Sequence, residues 1–222
     1  MKCFYCDDLD GKASAFVVYQ WAKIDNEAEY RRIGKPFHPI YACDRLPFEQ
    51  IALDEQVYII NYPITSGDIL HLHDITSNIT WIDYHKTRAT DNVFPFSIAG
   101  WRAEGASSCV ATYKYLCWQT NGGEGIPHKV ISLAVNPIPA ILLIIEDNNN
   151  KIKRYGNLTN LLCSIIKEYD TPPQAEFWAD CLTIPPIALE VYQNIVDTGA
   201  ELSYDPKNFL TAYLPFMEDV II

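Results

Sequence analysis

A chain of 222 residues, 49% hydrophobic and 20% charged, has the composition of an ordinary soluble globular fold and the length for one large domain or a domain with a small appendage. Its formal charge of −11 argues against a sequence-independent binder of long nucleic acid, which needs a basic surface. The same charge leaves room for a small phosphorylated ligand in a locally positive pocket, or for a basic partner. The longest apolar run, Ile138 to Ile145, is broken by Pro139 and falls far below the roughly 20 residues of a membrane span. Met1-Lys2-Cys3-Phe4-Tyr5-Cys6 leads at once into acidic residues, without a secretory apolar segment, so the expectation is a cytosolic protein that does not engage a membrane.

In chain order, Cys3 to Cys6 reads as a short strand and Asp7-Asp8-Leu9-Asp10-Gly11 as a tight acidic loop. Lys12 to Ile24 carries apolar residues at helical spacing, with Ala13, Phe16, Val17, Tyr19, Trp21 and Ala22. Gln56 to Asn61 is a bounded apolar run of strand length, and Ser66 to His73 reads as a helix with Ser66 or Asp68 near its cap. Ile79 to Ile82 is a further strand, followed directly by Asp83-Tyr84-His85-Lys86, and Gly105 to Trp118 is helical after a Gly/Ser turn. Strands alternating with helices predict an α/β fold with a doubly wound, mostly parallel sheet and helices on both faces. After Gly125 the pattern changes. Ile131 to Ile145 is apolar and broken by proline, Asp147-Asn148-Asn149-Asn150 reads as a polar turn, and Lys151 to Glu168 and Glu176 to Gly199 read as helices. The expectation is a single domain over residues 1–222 whose part from 151 onward forms a helical C-terminal layer.

Seven cysteines (Cys3, Cys6, Cys43, Cys109, Cys117, Cys163 and Cys181) lie in apolar surroundings, and an odd count without a signal peptide points to reduced, buried thiols. Cys3-x-x-Cys6 falls inside the first strand, where alternation turns the two side chains to opposite faces, and no second pair with zinc spacing accompanies it.

Parallel α/β sheets place ligands at the carboxyl ends of their strands. Three polar clusters follow predicted strands directly: Asp7-Asp8-x-Asp10-Gly11, Asn61-Tyr62, and Asp83-Tyr84-His85. Acidic residues and a histidine converging there suit a hard divalent ion such as manganese or magnesium. Asp8 and Asp10 also suit plain capping roles, and His85 a hydrogen-bonded structural one. His71 and His73 read as solvated. Lys86, Arg88 and Arg102 stand beside the predicted site, where they could meet a phosphate, and the amides of a helix starting at the Gly105-Ala106-Ser107-Ser108 turn are anion donors. The stripe Tyr113, Tyr115, Leu116 and Trp118 reads as core.

Taken together these segments resemble the DHH phosphoesterases. Phe4-Tyr5-Cys6-Asp7-Asp8-Leu9-Asp10-Gly11 looks like their first motif, Val57-Tyr58-Ile59-Ile60-Asn61 their second, and Trp81-Ile82-Asp83-Tyr84-His85-Lys86-Thr87 the Asp-His-His motif itself. Gly100-Trp101-Arg102 and Gly105-Ala106-Ser107-Ser108 resemble the glycine-rich turn and helix that follow it, so the likeness runs over about residues 1–204. The resemblance implies two-metal, usually manganese-dependent, cleavage of phosphodiesters.

The departures fall on the metal ligands. Cys6 stands where the family has a histidine, Asn61 where it has the aspartate thought to bridge both ions, and Tyr84 where it has the first histidine of its name motif. The acidic turn of its fourth motif is matched by Glu146-Asp147-Asn148-Asn149. Asparagine offers one neutral oxygen in place of a bridging carboxylate, and tyrosine, with an ordinary pKa of about 10, is a poor exchange for imidazole. Carried over residue by residue, the resemblance leaves Asp8, Asp10, Asp83 and Asp147 to hold any metal, and Asp83 and His85 to carry any remaining chemistry. Asp10, Gly11, Asn61, Tyr84, His85, Lys86, Arg102, Gly105, Ala106 and Ser107 are left as ligand contacts. Nothing in Tyr204 to Ile222 resembles the family's second, substrate-gripping domain, so the expected cleft would need rebuilding, for instance in a homodimer. The leading expectation is a protein that binds a cyclic nucleotide, a cyclic ADP-ribose-type signal or a short oligonucleotide, and that sequesters or senses it, as virally encoded decoys do, with little or no hydrolysis. The alternatives are an active phosphodiesterase acting on cyclic dinucleotides or short oligonucleotides, and a protein-interaction module with a vestigial site.

Overall fold

The computed structural model describes residues 1–22, 29–33, 46–84, 94–102, 105–120, 138–168 and 178. The chain divides into two compact units, Met1–Val135 and Asn136–Ile222.

The first unit is an α/β structure built from β1 (Lys2–Cys6), α1 (Leu9–Ala22), β2 (Glu29–Ile33), β3 (Val57–Ile60), α2 (Ser66–Ile75), β4 (Ile79–Ile82) and α3 (Ser108–Thr120). The four strands form one parallel sheet in the order β2-β1-β3-β4, with Tyr5 beside Ile60 and Ile60 beside Ile82. Because β2 lies on one side of β1 and β3 on the other, the chain reverses its direction of travel across the sheet between β1 and β3. Such a reversal opens a crevice at the carboxyl ends of the two strands.

Alternation assigns the faces. Phe4, Val57, Ile59, Ile79 and Trp81 are buried in one core with Ile69 and Leu72 of α2. The intervening Tyr58 of β3 meets the ring of Trp21 from α1 at 6.4 Å, and Trp21 Nε1 donates to Thr120 Oγ1 at the end of α3 (3.0 Å). Every residue of β3 and β4 is buried, as parallel strands require, and burial of each large apolar side chain contributes about 1.5–3 kcal/mol. Residues 99–102 lie alongside β4 through parallel bridges Thr80–Ala99 and Asp83–Arg102.

The predicted strands at Cys3–Cys6, Gln56–Asn61 and Ile79–Ile82 match β1, β3 and β4 to within a residue at each end. Three local expectations change. The acidic loop Asp7–Gly11 is shorter than predicted, because α1 already starts at Leu9 and places Asp10 and Gly11 in its first turn. The cap of α2 is Thr65, one residue before the expected Ser66: its Oγ1 accepts from Asp68 N at 3.1 Å in a Thr-x-x-Asp box. Of the two α2 histidines read as solvated, His71 is exposed and stacks on Phe48, but His73 is half-buried and lies 3.5 Å from the Phe96 ring centroid. Tyr115 and Leu116 are core residues as the stripe predicts. Cys3 and Cys6 are buried thiols within β1, neither of them in a disulfide.

In the second unit, α4 (Ala140–Asn150) and α5 (Gly156–Glu168) pack on each other. The predicted polar turn Asp147–Asn150 is a correction: these residues form the last turn of α4, which stops at Lys151 in the left-handed conformation (φ 52°). Asp147 sits in a helix and not in a turn after a strand, and its carboxylate is spent locally. It accepts from Arg154 N (2.7 Å), Tyr155 N and the Thr159 hydroxyl, tying the α4–α5 connection together. The predicted helix Glu176–Gly199 lies outside the described residues apart from the buried, helical Trp178.

Gly11 is fixed by close approach: a Cβ there would stand 2.1 Å from the Cys6 carbonyl oxygen, a backbone atom that cannot swing aside. Gly11→Ala should destabilise the protein by about 3 kcal/mol or more in urea unfolding. Gly105 has nothing within 4 Å and only its φ of +93° to protect it, so Gly105→Ala should cost about 1 kcal/mol. Equal costs at the two positions would refute this packing account.

Candidate functional site

The carboxyl ends of β1 and β3 meet at the switch point of the sheet, and both are followed by polar residues. Asp8 caps α1: its Oδ1 accepts from Gly11 N at 2.8 Å, and its backbone oxygen accepts from Lys12 N at 2.9 Å. Asn61 leaves β3 with φ of 53°, a left-handed conformation that asparagine tolerates better than most residues. This turn aims its side chain across the crevice. Asn61 Nδ2 donates to Asp8 Oδ1 at 2.8 Å, Asn61 Oδ1 accepts from Ser108 Oγ at 3.0 Å, and its backbone N donates to Ile82 O. Asn61 is wholly buried.

Asp10 completes the other side. Its two carboxylate oxygens accept from the backbone N–H groups of Ser108 (2.9 Å) and Cys109 (2.7 Å), amides at the start of α3, where a helix offers no carbonyl acceptor of its own. Ser14 Oγ donates to the Asp10 carbonyl at 2.6 Å. The α3 N-terminus, expected to offer amides to a phosphate, therefore already holds an anion: the chain's own Asp10. Ser107 caps the same helix with its hydroxyl near Val110 N and Cys109 Sγ and is buried, while Gly105 is exposed and Ala106 half-buried.

Cys6, at the end of β1, is hydrogen-bonded to Asp8; burial first, then the Asp8 charge, pushes its thiol far above the ordinary range. Tyr84 lies half-buried after β4. Its phenol is also pushed up, by burial first and then by the charges of Asp10, Asp8, Asp83 and Cys6 in that order, so it stays protonated. Asp83 is buried at the end of β4, its backbone N donating to Trp101 O.

Hydrogen bonds thus join Asp8, Asn61, Ser108 and Asp10, with Asp83 and Tyr84 following the neighbouring strand end of β4. Several predicted members take other roles. Gly11 is pressed against β1 and presents no surface to a ligand. Arg102 turns inward: Nη1 donates to Trp81 O (3.1 Å) and Ala99 O, Nη2 donates to Ile98 O, and the guanidinium lies 5.2 Å from the Trp81 ring. It braces the 98–102 turn instead of offering these donors to a phosphate. Asp147 belongs to the second unit and serves the α4–α5 connection. His85, Lys86 and Arg88 lie outside the described residues.

The sequence reading missed Ser108 as the donor that orients Asn61. A serine at a helix start signals a cap, and nothing in one sequence reveals that its hydroxyl faces residue 61 rather than its own helix.

The metal expectation can be tested on the donor set. Asp8 Oδ1 is met by Asn61 Nδ2 and Gly11 N, and both oxygens of Asp10 are met by α3 amides. Among the described residues no group of three or more His, Cys, Asp or Glu side chains is arranged to hold an ion. An N–H donor facing Asp8 at the centre of the cluster is the wrong chemistry for a pair of cations, so the described residues do not fit the two-metal centre. Among them, too, no helix is long and apolar enough to cross a membrane.

No protein-family model matches the chain, and no curated protein does. Its fold is similar to the crystal structure of an uncharacterized protein from Helicobacter pylori G27, with a TM-score of 0.51 and 14% identity over 96% of this chain and 59% of that one. The chain therefore spans less than two thirds of the length of that neighbour, and the likeness is one of fold.

Burial, aided by the Asp8 charge and opposed by the Cys109 and Ser108 hydrogen bonds, raises the Asp10 carboxyl from 3.8 to about 6. The folded protein then binds this proton more tightly than the unfolded chain does. The Asp10 contribution to stability is therefore fully present below about pH 4 and is lost as pH rises to about 6, by at most about 3 kcal/mol. Asp10→Asn should remove this component: unfolding followed from pH 4 to pH 7 should give wild type a steeper decline than the variant. Parallel profiles would place the Asp10 carboxyl outside this environment.

Proposed function

We propose that the chain is a DHH-phosphoesterase-like protein that binds a nucleotide phosphodiester and sequesters or senses it with little or no hydrolysis. The ligand class is a cyclic nucleotide, a cyclic ADP-ribose-type signal or a short oligonucleotide. In this reading the parallel sheet is the core of a doubly wound domain with helices on both faces, and the helices of the second unit form its C-terminal layer.

One observation carries the reading: the polar residues after β1 and β3 meet at the switch point, where α/β sheets take their ligands, and they meet through an amide rather than through paired carboxylates. The first half supports a binding site and the second argues against cleavage. Two-ion phosphoryl transfer needs both cations to clamp the attacking and leaving oxygens, and the Asn61 amide stands against Asp8 where such an ion would need oxygen ligands. No cleavage step follows from these residues.

Recognition divides by charge. Half-buried Asp8 and the Tyr84 phenol favour the donor-bearing part of the ligand, such as ribose hydroxyls or an exocyclic amine. The phosphate needs cations, and His85 and Lys86, directly after Tyr84 in the chain, are the candidates in this reading. A homodimer could supply a second wall to the crevice.

The test is a thermal-shift screen of the purified protein against cyclic mono- and dinucleotides, cyclic ADP-ribose-type molecules and short oligonucleotides, with and without manganese. Each hit is then recovered and chromatographed. A ligand at 100 times its Kd should stabilise the protein by about 2.7 kcal/mol and be recovered intact. Manganese-dependent cleavage would replace this reading with that of an active phosphodiesterase, and no shift with any nucleotide would replace it with that of an interaction module.

A further inference from the structure

We infer that the Asn61 amide is a built-in substitute for a cation at the switch point, which closes this site to divalent metals, and that exchanging this one residue for aspartate opens it to them. The inference rests on hydrogen-bond geometry and not on the ligand reading. A failed nucleotide screen leaves it standing, and its own failure leaves nucleotide binding open.

The crevice between β1 and β3 holds the carboxylates of Asp8 and Asp10, two residues apart at the start of α1. Two such groups under partial cover require positive partners, and partial positive charges serve if they are aimed. Here they are aimed. Asp8 is met by the Asn61 amide (2.8 Å), the Gly11 N–H (2.8 Å) and the Cys6 thiol, and Asp10 by two α3 amides. Asn61 is the pivotal donor because its orientation is fixed from both ends. Ser108 Oγ donates to Asn61 Oδ1 at 3.0 Å, so flipping the amide would set Oδ1 against the Asp8 oxygen and bring its NH2 group to a hydroxyl now oriented to donate. The backbone N–H to Ile82 O and the left-handed φ hold the residue in place.

Aspartate is isosteric and is also enriched in the left-handed conformation, so Asn61→Asp keeps the shape while replacing an N–H donor with a carboxylate oxygen 2.8 Å from Asp8 Oδ1. That contact is repulsive unless a proton or a cation enters it. Two carboxylates with Asp10 nearby form an oxygen-rich set suited to manganese or magnesium.

The experiment compares melting temperatures of full-length wild type, Asn61→Asp and the exchanged pair Asp8→Asn/Asn61→Asp at neutral pH, each in chelator and in about 1 mM manganese, with titration calorimetry of manganese alone into each. Wild type should melt at the same temperature in both buffers and give no binding heat. Asn61→Asp should melt lower in chelator and recover by about 5 °C or more in manganese. The exchanged pair restores one amide facing one carboxylate and should be indifferent to the metal. A manganese-dependent rise in wild type, or an Asn61→Asp variant as stable in chelator as in manganese, would overturn the inference. If Asn61→Asp does not fold at all, the exchanged pair decides: metal-independent folding supports the inference and its failure overturns it.

Discussion

Carboxylates brought together under cover must be met by donors, and in this protein that requirement organises the whole carboxyl edge of the sheet. Losing water from an ionised group costs several kcal/mol unless hydrogen bonds replace it. Asp8 and Asp10 obtain replacements from four different segments: the end of β1 through Cys6, the first turn of α1 through Gly11, the exit of β3 through Asn61, and the start of α3 through Ser108 and Cys109. Each of these segments is tied to the network by a donor. The packing of α1 against α3 ends in this network at one end and in the Trp21–Thr120 hydrogen bond at the other.

The same network redefines what the crevice can offer a ligand. A helix N-terminus is a ready anion site, but the amides of Ser108 and Cys109 already hold Asp10. Three guanidinium hydrogen bonds of Arg102 go to the backbone carbonyls of Trp81, Ile98 and Ala99. Two cationic features that look available for phosphate in the sequence are thus engaged in holding the protein together. Asp8 and Tyr84 are the residues that stay half-exposed at this edge.

Much of the fold was legible because its signals are local. β3 and β4 are short apolar runs bounded by polar residues, and α1 carries helical spacing from Ala13 to Trp21. β2 was not legible. Its sequence Glu-Tyr-Arg-Arg-Ile lacks an apolar run, and it is a strand because its backbone pairs with β1, a long-range fact. α4 was not read as a helix: its start fell in an apolar run broken by proline and its end was taken for a polar turn. Asn148-Asn149-Asn150 has turn chemistry, yet the helix persists because Asp147 accepts from the α4–α5 connection ahead and Lys151 provides the left-handed stop. At the candidate site, residue identities pointed to the polar clusters after β1, β3 and β4, and the structure supplies their partnerships. That Asn61 faces Asp8, that Ser108 faces Asn61 and that Asp10 faces α3 all depend on strand order, which no single motif encodes.

Cys6 gives the arrangement a chemical resilience. A cysteine attacks electrophiles, reduces oxidants or captures soft metals as its thiolate. Burial and the neighbouring aspartates hold the Cys6 proton on sulfur, where it serves as a donor to Asp8. The proton that completes the network is therefore the same one that silences the thiol. A histidine at this position would change charge near neutral pH and unsettle its acidic neighbours, whereas the thiol keeps one protonation state across the physiological range. Cys6 thus stays a neutral donor near neutrality, and the pH response of this cluster falls to Asp10.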